Sequence, residues 1–182
     1  MPSEDAVLVR LRVNGEERSA AVPAHHTLLE LLREELGLPG TKHGCELGEC
    51  GTCTVLLDGA PVLSCLVLAI DADGRHVETV EGLSAGNELH PLQSAFADLG
   101  AAQCGYCTPG MLMTAKALLA ESSAPTPDEI RAALAGNLCR CTGYHKIVDA
   151  VSWAAARLRG EATEPPRSSF YGDVPPGKER DT

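Results

Sequence analysis

The sequence predicts an α+β protein in which a small β-rich domain is followed by a helical one. Three observations carry this. Residues 6–82 hold short runs of alternating apolar and polar side chains, punctuated by Asn-Gly and Asp-Gly turns, with one helical pattern among them. Residues 91–159 hold four helical segments, three of which open with proline. Eight cysteines fall into two sets of four, one in each half of the chain.

Within 6–82, Val7, Val9, Leu11 and Val13 alternate as a half-buried strand does, and Asn14-Gly15 supplies a hairpin turn into a second strand over 18–22. Thr27 and Glu30 form a capping box. The helix after it is amphipathic through Leu28, Leu29, Leu31, Leu32 and Leu36, and Gly37 and Pro39 end it. Strands are expected over 54–57 and 61–70, joined by Asp58-Gly59, and a last one over 76–80. One helix on a small mixed sheet is a β-grasp arrangement. Residues 83–90 are small and polar and read as a linker.

Helices are expected over 91–99, 109–121, 127–134 and 144–158, with Thr108 as N-cap of the second and a capping box at Thr126 and Glu129. Short connections predict a compact four-helix bundle. Met111 and Met113 read as its core. Residues 160–182, rich in proline and charge, read as a disordered tail. Within it, Phe170 and Tyr171 are either chance or a docking anchor.

Composition narrows the function. The net charge of -10 argues against a nucleic-acid binder, which carries a basic face. No apolar run reaches the roughly 18 residues of a membrane span, and the N-terminus is acidic where an export signal is basic. A soluble, cytoplasmic protein is expected. Aromatic residues make up only 3% of the chain, and a core so poor in rings is usually fastened by disulfides, metals or a partner. The cytosol disfavours disulfides, which leaves metal or a partner.

The first cysteine set is Cys45-x4-Cys50-x2-Cys53, followed by Cys65. This is the plant-type ferredoxin spacing for a [2Fe–2S] cluster, and zinc ribbons favour paired C-x2-C knuckles instead. Gly44, Gly48 and Gly51 allow the tight turns that aim amide N–H groups at sulfur. The second set is Cys104-x2-Cys107 with Cys139-x-Cys141. Spacing alone leaves zinc open here. Each of its pairs stands shortly before a helix start, where the helix dipole favours an anionic thiolate cluster.

Three motifs, GCELGECGTCTV (44–55), QCGYCTPGM (103–111) and GNLCRCTGYHKIV (136–148), resemble the small iron–sulfur subunit of the molybdenum hydroxylases. That family includes xanthine dehydrogenases, aldehyde oxidoreductases and aerobic carbon monoxide dehydrogenases. The resemblance spans roughly 6–159. It implies a ferredoxin-like domain with one [2Fe–2S] cluster on Cys45, Cys50, Cys53 and Cys65. It also implies a helical domain with a second cluster on Cys104, Cys107, Cys139 and Cys141. It further implies that Gln103 hydrogen-bonds a molybdopterin (dinucleotide) on a large partner subunit, with Cys141 the ligand nearest to it. Electrons then pass through both clusters to FAD on a medium subunit, in a dimer of heterotrimers, and this chain carries no catalytic residue. A free-standing two-cluster ferredoxin-like carrier is the alternative. The same small subunit serves the oxidation of carbon monoxide, aldehydes, purines and other N-heterocycles, so the substrate and the terminal acceptor stay open.

Other residues carry weaker signals. Arg140, between two cysteines, reads either as a cation raising a cluster potential or as a solvated or subunit-contacting residue. His25, His26 and His43 read as surface or capping groups, because the four cysteines of the first set leave no place for Rieske ligation. Tyr106 and Tyr144, at matching spots near the two cysteine pairs of the second set, read as packing residues.

Overall fold

The computed structural model describes residues 6–161 and 164, so most of the tail read over 160–182, with Phe170 and Tyr171, lies outside the described residues. β1 (Ala6–Val13) and β2 (Glu16–Pro23) form an antiparallel hairpin. Asn14 and Gly15 turn it at φ 52° and 87°, the type I′ geometry whose twist matches the strands. β1 buries Val9, Leu11 and Val13 on one face.

The helix that follows differs from expectation. α1 (Leu28–Glu30) opens at the Thr27–Glu30 capping box and passes at once into a π-helical turn over Leu31–Glu35. There the Leu36 N–H bonds Leu31 O at 3.0 Å. The leucine pattern cannot distinguish the two, because either turn keeps Leu28, Leu31 and Leu32 on the buried face.

β3 (Thr54–Leu57) and β4 (Ala60–Leu63) form a second hairpin, and β5 (His76–Glu78) closes the sheet. Among the described residues the sheet has five strands in the order β2-β1-β5-β3-β4, with β1 and β5 parallel and the other pairs antiparallel. The strand expected over 61–70 stops at Leu63. Beyond it the chain crosses to α1, where the Leu28 N–H bonds Val67 O at 2.7 Å and the Ala69 N–H bonds His26 O at 2.8 Å. Val67, Ala69, Ile70 and Ala72 thus pack on the core, while Leu68 is exposed. Val9, Leu11, Leu28, Leu31, Leu32, Val55 and Val77 form that core.

The second half is helical: α2 (Pro91–Asp98), α3 (Thr108–Glu121), α4 (Pro127–Ala133) and α5 (His145–Leu158). They close on Leu92, Phe96, Met111, Ile130, Ile147 and Trp153. Met113 is buried too, against Leu56 of β3 and Ala117, where α3 meets the sheet. The expected cap at Thr108 is corrected. Cys107 holds the N-cap position, Thr108 is the first helical residue, and its hydroxyl is buried without a protein partner. The cap on α5 is Tyr144, three residues beyond Cys141, at φ +68°. Between the halves, Leu83 is buried in the helical core, and Ser84 Oγ donates to Gln93 at 2.8 Å. Among the described residues no helix is long and apolar enough to cross a membrane.

Candidate metal centres

The first cysteine set occupies the loop between the π turn and β3, with Cys65 arriving from the turn after β4. Cys53 and Cys65 are buried, whereas Cys45 and Cys50 are half-buried. The Cys45 thiol neighbours Cys50, and the Cys65 thiol neighbours Cys53 and Cys45. The Leu47 N–H, then the Cys50 thiol and the amides of Glu49 and Cys50, bring the Cys45 thiol down to about 7. Burial, then the neighbouring Cys53 and Cys45, pushes Cys65 up to about 11, with the Gly48 amide pulling the other way. Backbone N–H groups thus converge on sulfur, as a nest for an anionic group requires. A Cβ on Gly44 would lie 2.8 Å from Cys50 Sγ, so the loop wraps its sulfurs closely.

The second set is held by two turns that enter α3 and α5. Cys104 Sγ lies 3.6 Å from Cys141 Sγ, and the Cys107 thiol neighbours Cys139 and Cys104. Cys107 and Cys139 pack against the helical core. Burial, then the Cys139 thiol, pushes Cys107 up to about 12. Cys104, Cys141, Gln103 and Arg140 are exposed on the outer side. Each set thus brings four thiols near one another, the number that a two-iron cluster takes, two on each iron.

The two centres are joined to each other. The Leu138 N–H donates to Cys50 O at 2.9 Å, and Thr52 Oγ1 donates to Tyr106 O at 3.3 Å. The Tyr106 hydroxyl reaches back to His43 O. Asn137 is 4% exposed and fully engaged. Its Nδ2 donates to Gly51 O at 2.8 Å and to Thr54 Oγ1 at 3.2 Å, while its Oδ1 accepts from Thr114 Oγ1 at 2.9 Å. Sequence reasoning quoted Asn137 within a motif but gave it no role. Its one available signal was an amide side chain beside Gly136, two residues before a cysteine pair.

The remaining expectations divide. Tyr144 packs on the helical core as expected, and its hydroxyl also accepts the Cys139 N–H at 2.8 Å. Tyr106 is 49% exposed and acts through its hydroxyl bridge. His43 pairs with Glu46, and His25 and His26 stack edge to face before α1.

Comparison with known proteins follows the same division of the chain. Residues 11–84 match a family described as 2Fe-2S iron-sulfur cluster binding domain, and residues 79–152 match one described as [2Fe-2S] binding domain. The nicotinate dehydrogenase small FeS subunit of Eubacterium barkeri is 50% identical over 83% of this chain and 96% of its own length. The xanthine dehydrogenase iron-sulfur-binding subunit of Escherichia coli O157:H7 is 46% identical over 83% of this chain and 96% of its own. A chain in the crystal structure of quinoline 2-oxidoreductase from Pseudomonas putida 86 superposes with a TM-score of 0.83 at 50% identity, over 87% of this chain and 100% of that one.

Proposed function

The chain belongs to the family of small [2Fe–2S] subunits of the xanthine dehydrogenase and aldehyde oxidoreductase type, and on that premise we propose a two-centre relay. One cluster is held by Cys45, Cys50, Cys53 and Cys65, and the other by Cys104, Cys107, Cys139 and Cys141. The chain is the iron–sulfur electron-transfer subunit of a molybdenum hydroxylase, an oxidoreductase complex. We assign the source of electrons to a molybdopterin on a large partner subunit and their exit to FAD on a medium one, in a dimer of heterotrimers. The substrate chemistry then belongs to the partner's cofactor. We place the assembly in the cytoplasm, where thiols stay reduced.

A bound [2Fe–2S] cluster supplies one-electron chemistry at a potential set by charge, hydrogen bonds and exposure. The residues of this chain hold and space the two sites. We read the sheet and α1 as a β-grasp, ferredoxin-like frame for the first, and α2–α5 as a four-helix bundle for the second. The observation that carries the relay is the hydrogen bond from Leu138 N–H to Cys50 O. Cys50 is a ligand residue, and Leu138 is bonded directly to the ligand residue Cys139. One 2.9 Å step therefore joins the covalent frameworks of the two sites. Gln103, Cys104 and Cys141, exposed together, form the side offered to the pterin subunit, with Gln103 as its hydrogen-bonding group and Cys141 as the nearest ligand. Leu47 and Leu66, 71% and 62% exposed beside the first set, form the side offered to the flavin subunit.

Cys141→Ser tests the ligand assignment. The exposed Cys141 lies outside both apolar cores, so the variant is expected to keep its fold and lose the second cluster's electron paramagnetic resonance signal. The first signal is expected to remain, and its simultaneous loss would argue against separate sites. Gentle affinity purification of the tagged chain from its host, with mass spectrometry, tests the partners. A large molybdopterin subunit and a flavin subunit are expected to accompany it. Recovery of the chain alone, brown and fully loaded, would replace this reading with the free carrier.

A further inference from the structure

Thr142 stands one residue after the last cysteine of the second set, and its hydroxyl has a defined direction. Its Oγ1 lies 3.2 Å from the Tyr144 N–H, which can only donate, so Oγ1 accepts there. The same Oγ1 lies 3.1 Å from Cys139 Sγ. A thiolate ligand has no proton to give, so the hydroxyl is the donor. The donor is held from both sides. Tyr144 takes the left-handed conformation, φ +68°, uncommon for a residue with a side chain. That turn sends its N–H back to Thr142, while its ring hydroxyl accepts the Cys139 N–H at 2.8 Å and donates to Asn137 O at 3.3 Å. Residues 139–144 therefore form a closed loop that aims one hydroxyl at one sulfur. Among the described residues, Cys45 Sγ of the first set accepts the Leu47 N–H at 3.5 Å, and no hydroxyl is hydrogen-bonded to a sulfur of that set.

We infer that Thr142 is a positioning residue that sets the reduction potential of the second cluster through a hydroxyl-to-sulfur hydrogen bond on Cys139, held in place by Tyr144. The inference rests on Cys139 being a cluster ligand. A hydrogen bond to a ligand sulfur withdraws charge and stabilises the reduced, more negative cluster, so it raises the potential.

The test is a redox titration of the intact complex, followed by electron paramagnetic resonance of both clusters, for wild type, Thr142→Val and Thr142→Ser. Valine keeps the shape and removes the donor, whereas serine keeps the donor and removes a methyl. In Thr142→Val the second cluster is expected to titrate lower, by about tenfold in its reduced-to-oxidised ratio, or ~59 mV for a one-electron couple. Thr142→Ser is expected to titrate near wild type, and the first cluster is expected not to move in either variant. An unchanged second potential in Thr142→Val, with both signals intact, overturns the inference. So does an equal shift in Thr142→Ser, which would trace the effect to packing. If Thr142→Val fails to assemble, double resonance on the wild-type complex in heavy water decides. An exchangeable proton strongly coupled to the second cluster, kept in Thr142→Ser and missing in Thr142→Ala, supports the donor, and its absence from the wild type overturns it. A wild-type complex with no second [2Fe–2S] signal would instead remove the ligand reading, and this inference with it.

Discussion

Gly51→Ala is expected to destabilise the subunit by about 4 kcal/mol, or roughly 8–16 °C in melting temperature for a chain of this size. Gly51 sits inside the first cysteine loop at φ +69°. An added Cβ would lie 2.2 Å from Gly136 O, 2.7 Å from Asn137 Nδ2 and 2.8 Å from Asn137 Cα. Two of those neighbours are backbone atoms, so no side chain can swing away to make room. The approach is reciprocal, since a Cβ on Gly110 of α3 would lie 2.3 Å from Gly51 O. The two cluster loops touch backbone to backbone, and a methyl group at this point must push them apart. Gly59→Ala is the control. Its φ is +84° but nothing lies within 4 Å of the added atom. It is therefore expected to cost only the conformational strain, about 1 kcal/mol. Thermal unfolding of the two variants in the loaded complex separates steric clash from backbone strain. Equal losses would show that the loops have room to yield.

Asn137→Asp is expected to cost about 3 kcal/mol although its volume is nearly unchanged. The substitution exchanges a donor for an acceptor at the atom 2.8 Å from Gly51 O. Two oxygens then face each other in a site that is 4% exposed, and an ionised carboxylate there is desolvated with no cation on it. The Thr114 hydroxyl keeps its acceptor, so the fault is confined to the side facing the first cluster. Thermal unfolding reads the cost, and the magnetic interaction between the two reduced clusters reads the consequence. That interaction is expected to weaken or broaden as the spacing loses definition. A normal melting temperature together with an unchanged interaction would show that Asn137 does not hold the loops together.

These two residues mark where sequence reading reached its limit. The strands, the capping boxes and the cysteine sets are local, written in alternation, in Thr-x-x-Glu and in spacing, and those signals sit within a few residues of the structure they specify. Gly51 was legible as a loop glycine, but its second constraint comes from Gly136 and Asn137, far along the chain. Asn137 is a polar residue with no periodic context, and its three partners lie in the first loop, in β3 and in α3. The strand expected over 61–70 failed for a related reason. Past Leu63, Val67, Ala69 and Ile70 pack on the core outside the sheet while Leu66 and Leu68 are exposed, and alternation does not say which surface does the burying. Thr108 failed because Thr-Pro fits an N-cap and the first helical position alike, and the choice was made by where the second set places Cys107.

The proposed relay requires eight thiolates to hold two two-iron clusters, four on each. Iron, zinc and acid-labile sulfide measured per chain on the purified complex, with spin quantification after dithionite reduction, test it most directly. About four iron and four labile sulfide are expected on this chain, with two distinct reduced signals of one spin each. About two zinc, no sulfide and no signal would contradict it.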